Sequence, residues 1–271
     1  RQRGAKVDIG AYEAGVITVQ NTNDSGTGSL RQAIVDAQPY DTVVFSGSVF
    51  DVPRTITLAS TLVVNKTFSI RGPGSGLLTL DGNNAVRHLN VDSPGALTLS
   101  GMRISRGNSG NGVSAGLILV NLGTLTGDDL ILDNGRTTNL GGCLYNNGTT
   151  VLSHLLIASC QAQSGAGIFN ESGRSLTISD ARIDGSTASS VGAGLFNAGG
   201  ATLRRVSFFA DAAASGGAIY NTGALSATSV TLSGNSASTS LGGGLYQGAT
   251  GSTSLTASTI TANTSTSFGG G

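Results

Sequence analysis

The sequence predicts an all-β chain: a right-handed, single-stranded parallel β-helix (a β-solenoid) with a short N-terminal capping helix. Three observations predict it. A glycine-led hexad returns five times at a spacing of about 25 residues. Stretches between its copies alternate apolar and polar residues, the period of a strand with one buried face. The composition is that of strands and turns, with 42 Gly, 4 Pro, no Trp and only 11% charged residues. Glycine this frequent without a G-X-Y period is not collagen. A chain that is 38% hydrophobic with zero net charge is not disordered.

The hexad reads Gly-Gly/Ala-x-aliphatic-aromatic-Asn. Its copies start at Gly141, Gly165, Gly192, Gly216 and Gly242, the last ending in Gln247. The aromatic advances by 24, 27, 24 and 26 residues, and Phe268 with the glycines after it reads as the entry to another copy. Helical repeats run about 33 to 47 residues and show a 3.6-residue period, so they are excluded. What remains is a coil whose turns lie on one another and pair in parallel at about 4.8 Å. Right-handed winding is assumed from the handedness of parallel crossovers and from the resemblance given below. Stacking puts Tyr145, Phe169, Phe196, Tyr220 and Tyr246 in one column. Asn146, Asn170, Asn197 and Asn221 form the next, as a ladder of amides. The aliphatic residue is expected to face inward and the aromatic to line a groove. The glycines suit a tight bend at positive φ.

The second element runs Leu97 to Ile104, then Leu125 to Leu132, Leu152 to Ile157, Leu176 to Ile183, Leu203 to Phe208, Leu225 to Leu232 and Leu255 to Ile260. The alternation shifts phase once within it, where the strand should turn a corner. Earlier, residues 29–37 read as a short amphipathic helix, capped by Thr27 or Ser29 and followed by Pro39. A helix there would cover the first coil and hide its unpaired strand groups. Residues 41–45, 55–58, 67–70 and 77–80 read as the first strands.

This divides the chain into residues 1–15, an arm or the end of a preceding solenoid domain; residues 16–40, a capping segment; and residues 41–271, a β-helix of roughly nine turns open at its C-terminal end. An open coil end exposes strand groups, so self-association end to end is expected, as a filament or as tandem domains. Val7, Ile9, Tyr12 and Phe268 are the candidate contacts.

Charge and hydropathy exclude other roles. Lys+Arg and Asp+Glu are 15 each, without a basic run, so no nucleic-acid partner is expected. No stretch of 18 apolar residues exists to span a membrane, and no apolar run follows the basic first residues as in a signal peptide. Cys143 and Cys160 fit either one disulfide or two unpaired small hydrophobes.

Residues 19–34 (VQNTNDSGTGSLRQAI) followed by 41–45 (DTVVF) resemble the opening of "choice-of-anchor Q" bacterial surface proteins. The Gly-Gly-x-Ile-Tyr-Asn copies resemble repeats of the polymorphic outer-membrane protein family, which are surface adhesins. Arg3-Gly4 with residues 8–13 (DIGAYE) resembles the closing motif of the first group, yet it stands before the opening motif. The resemblance implies a secreted, extracellular rod on a bacterial cell surface, structural or adhesive rather than enzymatic, with a surface glycan or host ligand as a further partner.

Many parallel β-helices cleave acidic polysaccharides, and such a site needs carboxylates or an arginine on one face of the rod. Aligning the coils gives one outward polar column, Asp129, His154, Asp180 and Arg205. Asp133 and Asp184 share another position two turns apart. A carboxylate-His-Arg site on the rod is one reading; a solvated ladder of alternating charge is the other and the favoured one. His88 reads as structural. Residues 81–84 and 133–135 suggest turns rather than Ca²⁺ loops, because the run of acidic ligands is missing. No catalytic residue, metal ligand or cofactor is assigned. The alternative function is a polysaccharide lyase or hydrolase, or a glycan-binding β-helix whose exposed rings stack on sugars.

Overall fold

The computed structural model describes residues 14–239, 241–267 and 269–270. The candidate contacts Val7, Ile9, Tyr12 and Phe268 lie outside them. The chain is 54% strand and 4% helix and winds as a parallel β-solenoid of about ten turns. The sequence count of roughly nine began at residue 41. The sheet in fact begins at Val16–Val19, which pairs in parallel with Thr42–Phe45.

The helix spans Leu30–Asp36, and the Ser29 hydroxyl accepts the Gln32 N–H, so Ser29 rather than Thr27 is its cap. Leu30, Ala33 and Ile34 are buried beneath it. A four-residue helix at Gly47–Phe50 has no counterpart in the sequence reading; Phe50 buries its ring edge-on against Phe45, 5.1 Å between centroids.

One coil shows how the repeat is built. The hexad strand opens at Leu144 and continues as one strand, Leu144–Ala158, and Gln161–Ser164 follows. The chain turns on single residues in the left-handed region: Gly141 (φ +70°), His154 (+46°) and Ser159 (+55°). These corners stack. His154 lies over Asp129 and under Asp180, then Arg205, all with φ between +46° and +53°. Ser159 belongs to a column with Asn134, Gly185 and Ala210, φ +54° to +61°. Gly141 leads a third with Gly165, Gly192 and Gly216, φ +58° to +70°. The phase shift seen in the sequence is the first of these corners.

Between corners, side chains alternate and the inward set stacks like on like. Leu132, Ile157, Ile183, Phe208 and Leu232 form one inner column, and Ile118, Leu144, Ile168, Leu195 and Ile219 another, all at most 1% exposed. The aliphatic residue of the hexad therefore does face inward. Alanines 162, 188 and 213, on the strand after the second corner, form a second, smaller cluster with Ala166 and Ala193 of the hexad bends. Cys143 and Cys160 are joined by a disulfide, both fully buried. Of the two readings open in the sequence, the bonded one is observed.

The corners differ in what they tolerate. A Cβ on Gly192 would lie 2.6 Å from the Leu195 carbonyl oxygen, with φ at +59°. Gly192→Ala should cost about 1–3 kcal/mol in chemical denaturation. Ala210 already carries its Cβ at φ +55°, so Ala210→Gly should change stability by less than about 1 kcal/mol. Equal losses from the two changes would contradict the corner assignment.

Candidate functional site

The polar column Asp129, His154, Asp180 and Arg205 sits on the first left-handed corner, where the outward turn of the backbone carries each side chain to the surface. The structure aligns the four but does not join them into one site. Arg205 grips Asp180 with two bonds, Nε to Oδ1 at 2.6 Å and Nη2 to Oδ2 at 2.7 Å. His154 turns away from Asp129 and pairs through Nδ1 with Asp128 Oδ1 at 2.7 Å. Ser153 donates to the same Asp128 oxygen at 2.6 Å, while Asp129 accepts from Ser75. The Asp128 bond raises the His154 imidazole above its ordinary value, and the Ser153 and His154 bonds lower Asp128. Arg205 lowers Asp180. These are exposed pairs, worth little in stability. The charges are matched along the rod axis, and the hollow of about 440 Å³ on the neighbouring face is lined by Ser175, Thr202, Ser226 and Ser254, not by these four.

A tighter charged cluster lies lower on the rod and escaped the sequence reading. Asp81, Ser105 and Asp133 stack in successive coils, each at most 6% exposed. Arg103 and Arg106, from the middle coil, reach in opposite directions. Arg103 binds both oxygens of Asp133, with Nε 3.1 Å from Oδ1; Arg106 binds both oxygens of Asp81, with Nε 3.0 Å from Oδ1. Burial raises the Asp81 carboxyl, but the Arg106 bonds, the Asn83 N–H and the Arg106 charge together outweigh it and the net shift is downward. His88 lies behind, fully buried, its Nε2 3.1 Å from the Leu80 carbonyl; burial pushes the imidazole down to about 4. His88 is a neutral core residue, and both carboxylates are clamped by arginines. Asp81 and Asp133 stand two coils apart, roughly 10 Å. The signal that could have found them is the Asp81-to-Arg106 spacing of 25 residues, one coil.

The aromatic and amide columns are the most regular feature. Tyr145, Phe169, Phe196, Tyr220 and Tyr246 pair in register, with centroids 4.5–5.5 Å apart and planes within 23°. They are half-buried, Phe169 more deeply. Each ring therefore covers the faces of its neighbours and presents mainly edges, so the column is not the open platform that sugar stacking needs. Tyr145 donates its hydroxyl to Glu171 Oε2 at 2.5 Å.

Beside the rings, Asn146 donates to Asn170 Oδ1 at 2.7 Å, Asn170 to Asn197 at 2.7 Å, Asn197 to Asn221 at 2.8 Å and Asn221 to Gln247 at 3.0 Å. All four asparagines are fully buried. The second amide hydrogen is used too: Asn170 Nδ2 also donates to the Gly200 carbonyl. The ladder is thus a satisfied polar network inside the wall, which fixes register.

Among the described residues no three His, Cys, Asp or Glu side chains converge as a metal centre requires, and no helix is long and apolar enough to cross a membrane. No protein-family model matches the chain, and no curated protein matches it.

Two outcomes are expected here. Asn170→Ala strands buried groups of Asn146 and Asn197 and should cost about 1–3 kcal/mol for each group left unpaired. Denaturant midpoints would show it, and a loss no larger than that of an exposed substitution would remove the ladder from the account. Asp128→Asn should bring the His154 imidazole back down toward its ordinary value in an NMR titration. An unchanged titration would contradict the Asp128–His154 pair.

Proposed function

We propose that this chain is a structural or adhesive rod of a bacterial cell surface, secreted and working outside the cell. The observation that carries the reading is that the rings, amides and clustered charges are engaged along the rod axis, coil to coil. Chemistry that a catalytic face would turn toward a substrate is here used to hold turns together. The buried Cys143–Cys160 disulfide supports an oxidising compartment, where such bonds persist. The surface-protein motifs at residues 19–45 and in the hexads point the same way.

The rod associates end to end, as a fibre or as tandem units. Every coil pairs in parallel with the coil above it, so strand groups at the end of a stack suit pairing with a second copy placed on the axis. A surface glycan or a host-cell ligand is its further partner.

A polysaccharide-active β-helix is the second reading, favoured by the two carboxylates at Asp81 and Asp133 with arginines between them. An inverting hydrolase holds its carboxyls roughly 6.5–9.5 Å apart, close to this spacing. Against it, each carboxylate is bound on both oxygens by an arginine, so neither turns an unengaged oxygen toward a substrate.

Electron microscopy of the native protein should show fibres or beaded tandem rods. Incubation with pectin and alginate should yield neither reducing ends nor unsaturated uronates. Single dispersed rods at high concentration would count against end-to-end assembly, and product formation lost in Asp133→Asn would replace the rod with the enzyme.

A further inference from the structure

Just past the second corner, a column of small polar residues runs inside the wall: Ser186, Asp211, Asn235 and Asn263, with Cys160 below them. Ser186, Asp211 and Asn235 are fully buried. Each backbone N–H donates to the side-chain oxygen one coil on: Ser186 to Asp211 Oδ1 at 2.8 Å, Asp211 to Asn235 Oδ1 at 2.9 Å, and Asn235 to Asn263 Oδ1 at 2.9 Å. The column faces hexad glycines, and a Cβ on Gly194 would fall 2.9 Å from Asp211 Oδ2.

Asp211 breaks the pattern in one atom. In Asn235 the Nδ2 position donates to the Phe208 carbonyl at 3.1 Å and to Asn263 Oδ1 at 2.9 Å. Asn263 repeats the first bond one coil on, to the Leu232 carbonyl. At Asp211 that position is held by Oδ2, buried and without a hydrogen-bond partner. Phe208 pairs with Ile183, so the ladder's repeat places the Ile183 carbonyl and Asn235 Oδ1 around Oδ2. Both are acceptors. A lone pair there meets lone pairs; a proton there makes the bond that the asparagines make.

We propose that Asp211 is a proton-bearing rung of this ladder, its Oδ2–H donating to the Ile183 carbonyl, and that losing the proton opens the coils around it. Asp211 is a pH-sensitive joint in the rod, closed in acid and loosened in alkali. Its surroundings agree. Burial pushes its carboxyl well above the usual carboxylate range, and the like charge of Asp184 in the coil below adds to this, outweighing what the Ser186 N–H and hydroxyl contribute. Asp184 is itself paired with Arg182 at 2.7 Å. The coil above contributes Asn235 and the facing wall Gly194, neither of which titrates.

The sign follows from linkage. A carboxyl raised in the folded state adds stability that is complete below its unfolded pKa and is lost as pH rises through the folded one. Because a solenoid opens locally, the loss falls on the neighbouring coils. Hydrogen exchange, corrected for intrinsic rates, should show protection at Ser186, Ala212 and Asn235 falling up to tenfold per pH unit between the ordinary carboxylate range and the raised folded pKa, and levelling off above it. In Asp211→Asn, whose amide supplies the missing donor, protection there should be flat with pH and at least equal to wild type in alkali. PH-independent protection in the wild type, or a variant weaker at every pH, overturns the proposal. If the variant does not fold, a ¹³C-carboxyl titration of the wild type decides. A neutral-acid signal for Asp211 at neutral pH supports the joint, and an ionised one rules it out.

Discussion

Every coil must repeat the outline of the coil beneath it, and from Gly101 onward three columns of left-handed corners enforce that outline. Parallel pairing spaces the turns at about 4.8 Å, so any departure at one corner displaces every hydrogen bond above it. Non-glycine residues resist this backbone by about 1–2 kcal/mol each. Yet His154, Asp180 and Arg205 hold it in succession. Their strain is offset by what the constant outline permits: buried aliphatic columns, ring on ring, and amide on amide.

The same constraint sets the surface chemistry. A corner residue points outward, so the polar column at Asp129, His154, Asp180 and Arg205 is first a consequence of geometry. Asp is tolerated at positive φ because its short side chain bonds locally, and charges that stack at one-coil spacing are stable when signs alternate. Their arrangement needs no catalytic purpose. The deeper pairs, Asp81–Arg106 and Arg103–Asp133, follow the same rule and tie three coils together.

Much of this was legible before the fold was known. The spacing of Tyr145, Phe169, Phe196, Tyr220 and Tyr246 named the coil, and the phase break between Leu203 and Phe208 marked a corner. What stayed hidden depended on which carboxylate a side chain reaches. Nothing in the order of residues says that His154 chooses Asp128 over Asp129, since both lie one coil below. The Ser186, Asp211 and Asn235 column escaped because its members differ in type and share only a position after a corner. Rings were expected to line a groove, whereas contact with one another covers their faces.

Side-chain amide NMR tests the central claim most directly, because it reads the register of the ladder without disturbing it. The account predicts slowly exchanging Nδ2 protons, with through-space contacts running from Asn146 to Asn170, to Asn197 and to Asn221 in that order. Rapidly exchanging amides without those contacts would mean that the coils do not lie in register, and the columns built on that register would go with it.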